Sequence, residues 1–306
     1  MATTSACCRH VPSLSSCPLR NDAWPPTAAA FQLMKPFPAA SLARGMVLLL
    51  IAASTALAEP AWKRELSPPA PGAWPAIPPC VLDFQVSWKG MLDSGRLRIE
   101  FAPADVEKNG LLVIRSTATS TGPAAALFPY QGSFWSELHP TSLRPHYFHA
   151  VETDHRKTVT TTNHHFPGRV QCVEVARPLK KTTSTRKEQD FAFAPVFDLF
   201  SAMLHVRSQK LDAGDQITLL IHPFDNPYLL RVKVAGREVH HGRPAIRLSV
   251  GMRKINRKTL EPRPYQKMKR DATLWLSDDP ERIPIELRAP AFIGDVRATL
   301  SGFRKN

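Results

Sequence analysis

The chain reads as a mainly β protein, a curled antiparallel sheet or incomplete β-barrel with one helix packed on it. Three observations point there. From Val81 onward, apolar and polar residues alternate at period two in segment after segment. Turn-forming residues separate these segments at short intervals, as in hairpin-linked strands. Only one later stretch replaces the alternation with helical spacing. Of the 306 residues, 43% are hydrophobic and Pro (29) outnumbers Gly (14), so a packed core is feasible and long helices are disfavoured.

Taken in order, residues 1–45 carry Cys7, Cys8, Cys17 and several Pro without periodicity. They read as an extended or mis-assigned N-terminal region, with Met46 as the biological start. Residues 46–58 run Val47-Leu48-Leu49-Leu50-Ile51 into Ala56-Leu57-Ala58, behind Arg44. A short apolar run closed by small residues at A-x-A spacing is the pattern of a cleaved export signal. The run falls below the ~20 residues that span a bilayer. The expected location is therefore periplasmic or otherwise exported, soluble after cleavage or peripheral to the membrane. Residues 59–79 are Pro- and Ala-rich and read as an extended linker to a single domain over 80–303.

Within that domain Leu82, Phe84, Val86 and Trp88 alternate with Asp83, Gln85 and Ser87. Leu97, Ile99 and Phe101 do so with Arg96, Arg98 and Glu100. The turn-rich 89–95 joins them as a hairpin, and Leu112–Ser116 continues as a third strand. Further strands are expected at Phe134–Leu138, Tyr147–Val151, Lys157–Thr162 and Val170–Val175. The helix is expected from Pro195 to Arg207, with Val196, Leu199, Phe200, Met203 and Leu204 on one face and Pro195 at its start. Strands resume at Gln216–Ile221, Tyr228–Val239, Ala245–Met252, Ala272–Leu276, Ile283–Leu287 and Asp295–Leu300. Eleven to thirteen strands result. The basic tracts Arg177–Lys187 and Arg253–Arg270 read as exposed loops.

Several of these stretches carry a family likeness. They are Val86-Ser87-Trp88-Lys89-Gly90 with Gly95, Ser116–Gly122, the helix Phe197–Arg207, and Leu211-Asp212-Ala213-Gly214-Asp215. Leu230–Glu238, Leu274-Trp275-Leu276-Ser277-Asp278-Asp279, Arg282-Ile283-Pro284-Ile285 and Gly294–Leu300 follow in order. Together they make the chain resemble the bacterial domain of unknown function 3108, over roughly residues 80–303. The resemblance implies an exported, β-rich envelope domain and supplies no catalytic residues.

The net charge is +14, and +11 once residues 1–58 are set aside. Such a surface favours anionic partners, here a lipid or an anionic cell-envelope component. Nucleic acid is not expected, because the basic tracts lack interleaved aromatics for base stacking; Tyr265 stands alone. Cys80 and Cys172 form an even pair. A disulfide between them would stabilise by ~4 kcal/mol in the chain-entropy model, and the alternative is two buried thiols. Asp278 and Asp279 lie on a turn, where bonding to backbone is the default.

His139, His146, His149, His155, His164 and His165 crowd one region and offer the alternative of a metal-dependent enzyme or metal-binding protein. No H-E-x-x-H is present, and His146 and His149 are expected on opposite faces of a strand. His240-His241 shares that weakness. With no nucleophile elbow, phosphate loop or dinucleotide cradle, no catalytic residue and no cofactor are assigned. The leading expectation is a non-catalytic protein holding a lipid or other amphiphile in the curled sheet. A continuous apolar cavity would favour it, whereas three histidines converging on one point would favour the metal reading.

Overall fold

The computed structural model describes residues 59–74, 77–102, 110–266, 270–291 and 294–305. The export-signal reading of residues 46–58 and the odd segment 1–45 lie outside them. Chain order begins with β1 (Cys80–Trp88), β2 (Leu92–Phe101), β3 (Leu112–Ser120) and the short helix α1 (Gly122–Leu127). It continues with β4 (Tyr130–Leu138), β5 (Pro145–Asp154), β6 (Lys157–Phe166), β7 (Arg169–Pro178) and β8 (Thr185–Phe191). Helix α2 (Leu199–Ser208) precedes β9 (Gln216–Ile221), β10 (Tyr228–His240), β11 (Arg243–Ile255) and β12 (Pro262–Pro264). The last strands are β13 (Ala272–Ser277), β14 (Pro284–Ala291) and β15 (Gly294–Lys305).

All fifteen strands form one antiparallel sheet in the order β8 to β1, then β15, β14, β13, β11, β10 and β9, with β12 alongside β11. The first and last strands of the domain therefore meet in the middle of the sheet. They pair from Cys80 opposite Lys305 to Trp88 opposite Val296. The period-two pattern explains the faces. In β10, Leu230, Val232 and Val234 are buried, while Arg231 and Lys233 are exposed.

The sheet curls around α2. On one flank Phe200 and Leu204 join Leu82, Phe101, Ile114 and Phe148. On the other, Ala202 and Val206 join Leu219, Val232 and Leu248. A helix buried on both flanks fills the curl as a plug. The ends of the sheet are joined by side chains, with no ladder between β8 and β9 among the described residues. Val170 and Phe191 pack with Leu220, Leu229 and Ile255. Asn163 on β6 donates to the carbonyls of His222 and Phe224 at 3.1 and 3.0 Å. Arg257 donates to the Asp190 carbonyl at 3.2 Å and contacts His222 Nε2 at 2.8 Å.

Four expectations change. The helix starts at Leu199 rather than Pro195. The Asp198 carboxylate accepts from Ser201 N at 2.7 Å and the Ser201 hydroxyl accepts from Asp198 N, which makes a reciprocal cap. Upstream, Phe197 bridges to Ile221 in extended conformation. The described strands number fifteen rather than eleven to thirteen, whereas the short helix α1 buries no residue and leaves α2 as the helix packed in the curl. The basic tracts are partly structured: β8 begins at Thr185, and the Asn256 side chain closes a turn by accepting from Lys258 N and Thr259 N.

The Pro-rich segment packs onto the domain instead of standing off it. Trp62, in a 3-10 turn (Ala61–Glu65), is 3% exposed and donates to the Leu260 carbonyl at 2.7 Å. Ser67 N and Oγ pair with the backbone of Thr218 at 2.9 Å each. Trp74 N donates to the Ser208 carbonyl at 3.2 Å.

Candidate functional site

Between α2 and the inner face of β1, β2, β9, β10, β11, β13, β14 and β15 lies a cavity of about 330 Å³. Every side chain lining it is apolar; Leu97, Ile99, Met203, Leu230, Val250 and Leu274 are among them. The mouth is marked by Leu199 and Leu287, which line the cavity yet remain 45% and 40% exposed. Inward positions of the strands supply the walls, so the cavity follows directly from the alternation in the sequence.

The helix that roofs the cavity is pinned at both ends. At its N-terminus the buried Asp198 also accepts from Ser136 Oγ on β4 at 2.5 Å. Burial raises the Asp198 carboxyl above the ordinary carboxylate range, against the pull of Ser136, Ser201 and Phe200. At the C-terminus Arg282, in the β13–β14 turn, donates to the carbonyls of Arg207 at 3.0 Å and Lys210 at 2.9 Å, and also to that of Gln209. Trp74 of the N-terminal segment stacks over this guanidinium at 3.6 Å. The neighbouring Arg207 is pushed down to about 10 by burial and by the charge of Arg282. A cationic side chain on the last carbonyls of a helix satisfies orphan acceptors and complements the dipole.

The sequence-level metal cluster does not assemble. His149 bonds Thr162 Oγ1 at 3.1 Å and, with His146, Tyr147 and His164, lines an open groove beside Trp135. His146 shares that groove instead of taking the opposite face because the β4–β5 register shifts at Glu137/Leu138. His139 and His165 line a different pocket next to Pro195, and His155 sits at the β5–β6 turn against Arg156. Among the described residues, no three of the six bring ligand atoms to one point. The Cys80–Cys172 disulfide is likewise not formed. β1 and β7 are separated by five strands in the sheet, and each thiol is buried and free. Cys80 sits in the cluster around Leu82 and Phe101, whereas Cys172 donates weakly to the Phe224 carbonyl at 3.7 Å. Burial is the main cause that raises both thiols to about 11.

One group that spacing argued against does converge. His240, His241 and Glu286 place one ligand atom each within 4.8 Å of one another. His241 has φ 49°, so the turn between β10 and β11 swings both rings to the same side. The strand-alternation rule, which separates adjacent side chains, does not hold through a left-handed turn residue. Glu286 was missed because its partner histidines lie more than forty positions away, with no local signal to join them. Trp135 and Arg115, stacked at 4.5 Å in the outer groove, were likewise not legible as a pair.

No described helix is long and apolar enough to cross a membrane. No curated protein matches the chain. Among solved structures, it is similar to the β-barrel-like protein of domain of unknown function DUF1849 from Brucella abortus. That likeness has 11% identity and a TM-score of 0.47, covering 75% of this chain and 98% of the other. The model of the family described as "Protein of unknown function (DUF3108)" matches residues 83–301, and the chain belongs to that family.

Proposed function

We propose that this protein binds an amphiphile with a single long alkyl chain in the cavity beneath α2, and that it does so without catalysis in the cell envelope after export. The carrying observation is a cavity of about 330 Å³ with an entirely apolar lining and an apolar mouth. That volume falls at the low end of the ~300–1,000 Å³ typical of small-molecule sites. Magnitude favours a chain over a small apolar molecule. Each buried methylene contributes about 0.8 kcal/mol, so roughly ten are needed to reach micromolar affinity. No polar group converges inside to fix a reacting centre. Export is supported by the segment 46–58 and the anionic-surface preference by the net charge of +11 that remains once residues 1–58 are set aside.

Native mass spectrometry of the untagged protein, with dodecanoate and hexadecanoate as probes, tests the reading. One equivalent of fatty acid should bind. Leu199→Glu sets a charge at the mouth while placing an acid in the first helical turn, where the dipole favours it. That variant should fold normally and lose binding by tenfold or more, about 1.4 kcal/mol. Undiminished binding in Leu199→Glu, or no binding by the parent protein, would refute the assignment. The mass of the protein recovered from a periplasmic fraction should begin at Glu59.

A further inference from the structure

We propose that His240, His241 and Glu286 form a binding site for a divalent transition-metal ion of the Zn²⁺ class on the outer face of the sheet, with one position left to solvent. The donor set is two imidazoles and one carboxylate, the composition of an open zinc site with three protein ligands. The face is fixed by Leu287, which lines the cavity, so its neighbour Glu286 points to the opposite side of β14.

The distances suit such an ion. Tetrahedral Zn²⁺, with bonds of about 2.0–2.2 Å, holds its ligand atoms roughly 3.4 Å apart. His240 Nε2 lies 3.2 Å from Glu286 Oε2, and His241 Nε2 lies 2.6 Å from the same oxygen. The second contact must lengthen by less than an ångström and the first by less still, while the two imidazole nitrogens already lie within 4.8 Å of each other. His241 can do this because its side chain is 54% exposed, whereas Glu286 is 2% exposed and stays in place. The exposed imidazole also leaves the fourth position open to water.

Outer contacts orient each ligand. The His240 ring stacks on Trp275 with centroids 4.1 Å apart and planes 4° apart, which fixes its ring plane. Trp275 is itself held by a hydrogen bond from Nε1 to Glu238 at 2.7 Å. Arg288 donates to the other carboxylate oxygen, Oε1, from Nε at 3.1 Å and from its terminal nitrogen at 2.8 Å. Glu286 Oε2 is thereby left facing the two imidazoles. Asp295, 4.0 Å from Arg288, offsets the added positive charge. Hydrogen-bond partners behind the ligands set their orientation and affinity in metal sites.

The test is Zn²⁺ titration of the untagged protein in competition with a chromophoric chelator, together with the visible spectrum of the Co²⁺ form. One equivalent of metal and the intense bands of four-coordinate Co²⁺ are expected. His241→Ala removes an exposed ligand without touching the core. It should bind Zn²⁺ more weakly by at least the ~10–100-fold that loss of an outer partner costs, while the metal-free protein still unfolds in one cooperative transition. Glu286→Gln should lose binding as well. No metal uptake by the parent protein, or uptake undiminished in His241→Ala, would overturn the assignment.

Discussion

Three buried imidazoles give this protein an acid limit. Burial is the main cause holding His165, His205 and His222 neutral, at about 3, 4 and 3 respectively, with the charges of Arg144 beside His205 and Arg257 beside His222 adding to it. The unfolded chain protonates them near the ordinary value of about 6.5. Stability is thus complete above that value and is lost as pH falls toward 3–4, because only the unfolded state takes up protons in that window. Each group contributes at most about 1.4 kcal/mol per pH unit. The urea midpoint should therefore drop steeply between pH 6.5 and pH 5, and His205→Gln should remove about one proton from that slope. Asp198 acts with the opposite sign. Its raised pKa means that its contribution is present at low pH and lost as pH rises through its folded value. The free thiols give a second check at this scale. Cys80 and Cys172 are buried and pushed up to about 11, so neither should react with a thiol reagent until the domain unfolds.

At the scale of elements, α2 depends on groups from three distant parts of the chain. Arg282→Ala should strip the charged bonds from the helix C-terminus and expose the face of Trp74. We expect a loss of about 3 kcal/mol, read in urea, with hydrogen exchange rising first at residues 205–209. Gly72→Ala should unseat the N-terminal segment, because a Cβ there would lie 2.0 Å from the Ser208 carbonyl oxygen. Increased exchange at residues 61–74, with the sheet unchanged, would report this. These contacts also show where the sequence was readable. β9, β10 and β13 fall within one residue of their expected bounds, and β10 shows the reason most plainly, with Leu230, Val232 and Val234 buried between exposed Arg231 and Lys233. β8 was not legible, because Thr185-Arg186-Lys187-Glu188-Gln189-Asp190 has almost no apolar face. It is an edge strand, and charge there discourages pairing with another molecule. The start of α2 was misplaced for a different reason. Helical spacing ran back to Val196, but the reciprocal cap at Asp198 and Ser201 decides where the helix begins. The cavity followed from periodicity, whereas the His240–His241–Glu286 group depends on a turn conformation and a long-range pairing that no local pattern encodes.

Over the whole molecule, the seam between the sheet's ends is held by side chains at Asn163 and Arg257. Asn163→Ala should loosen the seam before anything else, seen as faster hydrogen exchange in β8 and β9 with the β1–β15 ladder still protected. Asn163 is fully buried, so its loss also strips the His222 carbonyl of this donor and leaves that of Phe224 only the weak Cys172 contact, at about 2 kcal/mol. The opposite boundary, where β1 meets β15, has a consequence for assembly during synthesis. Strands β1 to β8 can zip up as they emerge, each onto its predecessor, and β9 to β14 can do the same as a separate sheet. Among the described residues, no backbone bond joins the two half-sheets until β15 arrives to bridge β14 and β1. The final twelve residues of the sheet therefore act as its keystone, and the backbone ladder becomes continuous only once they have emerged.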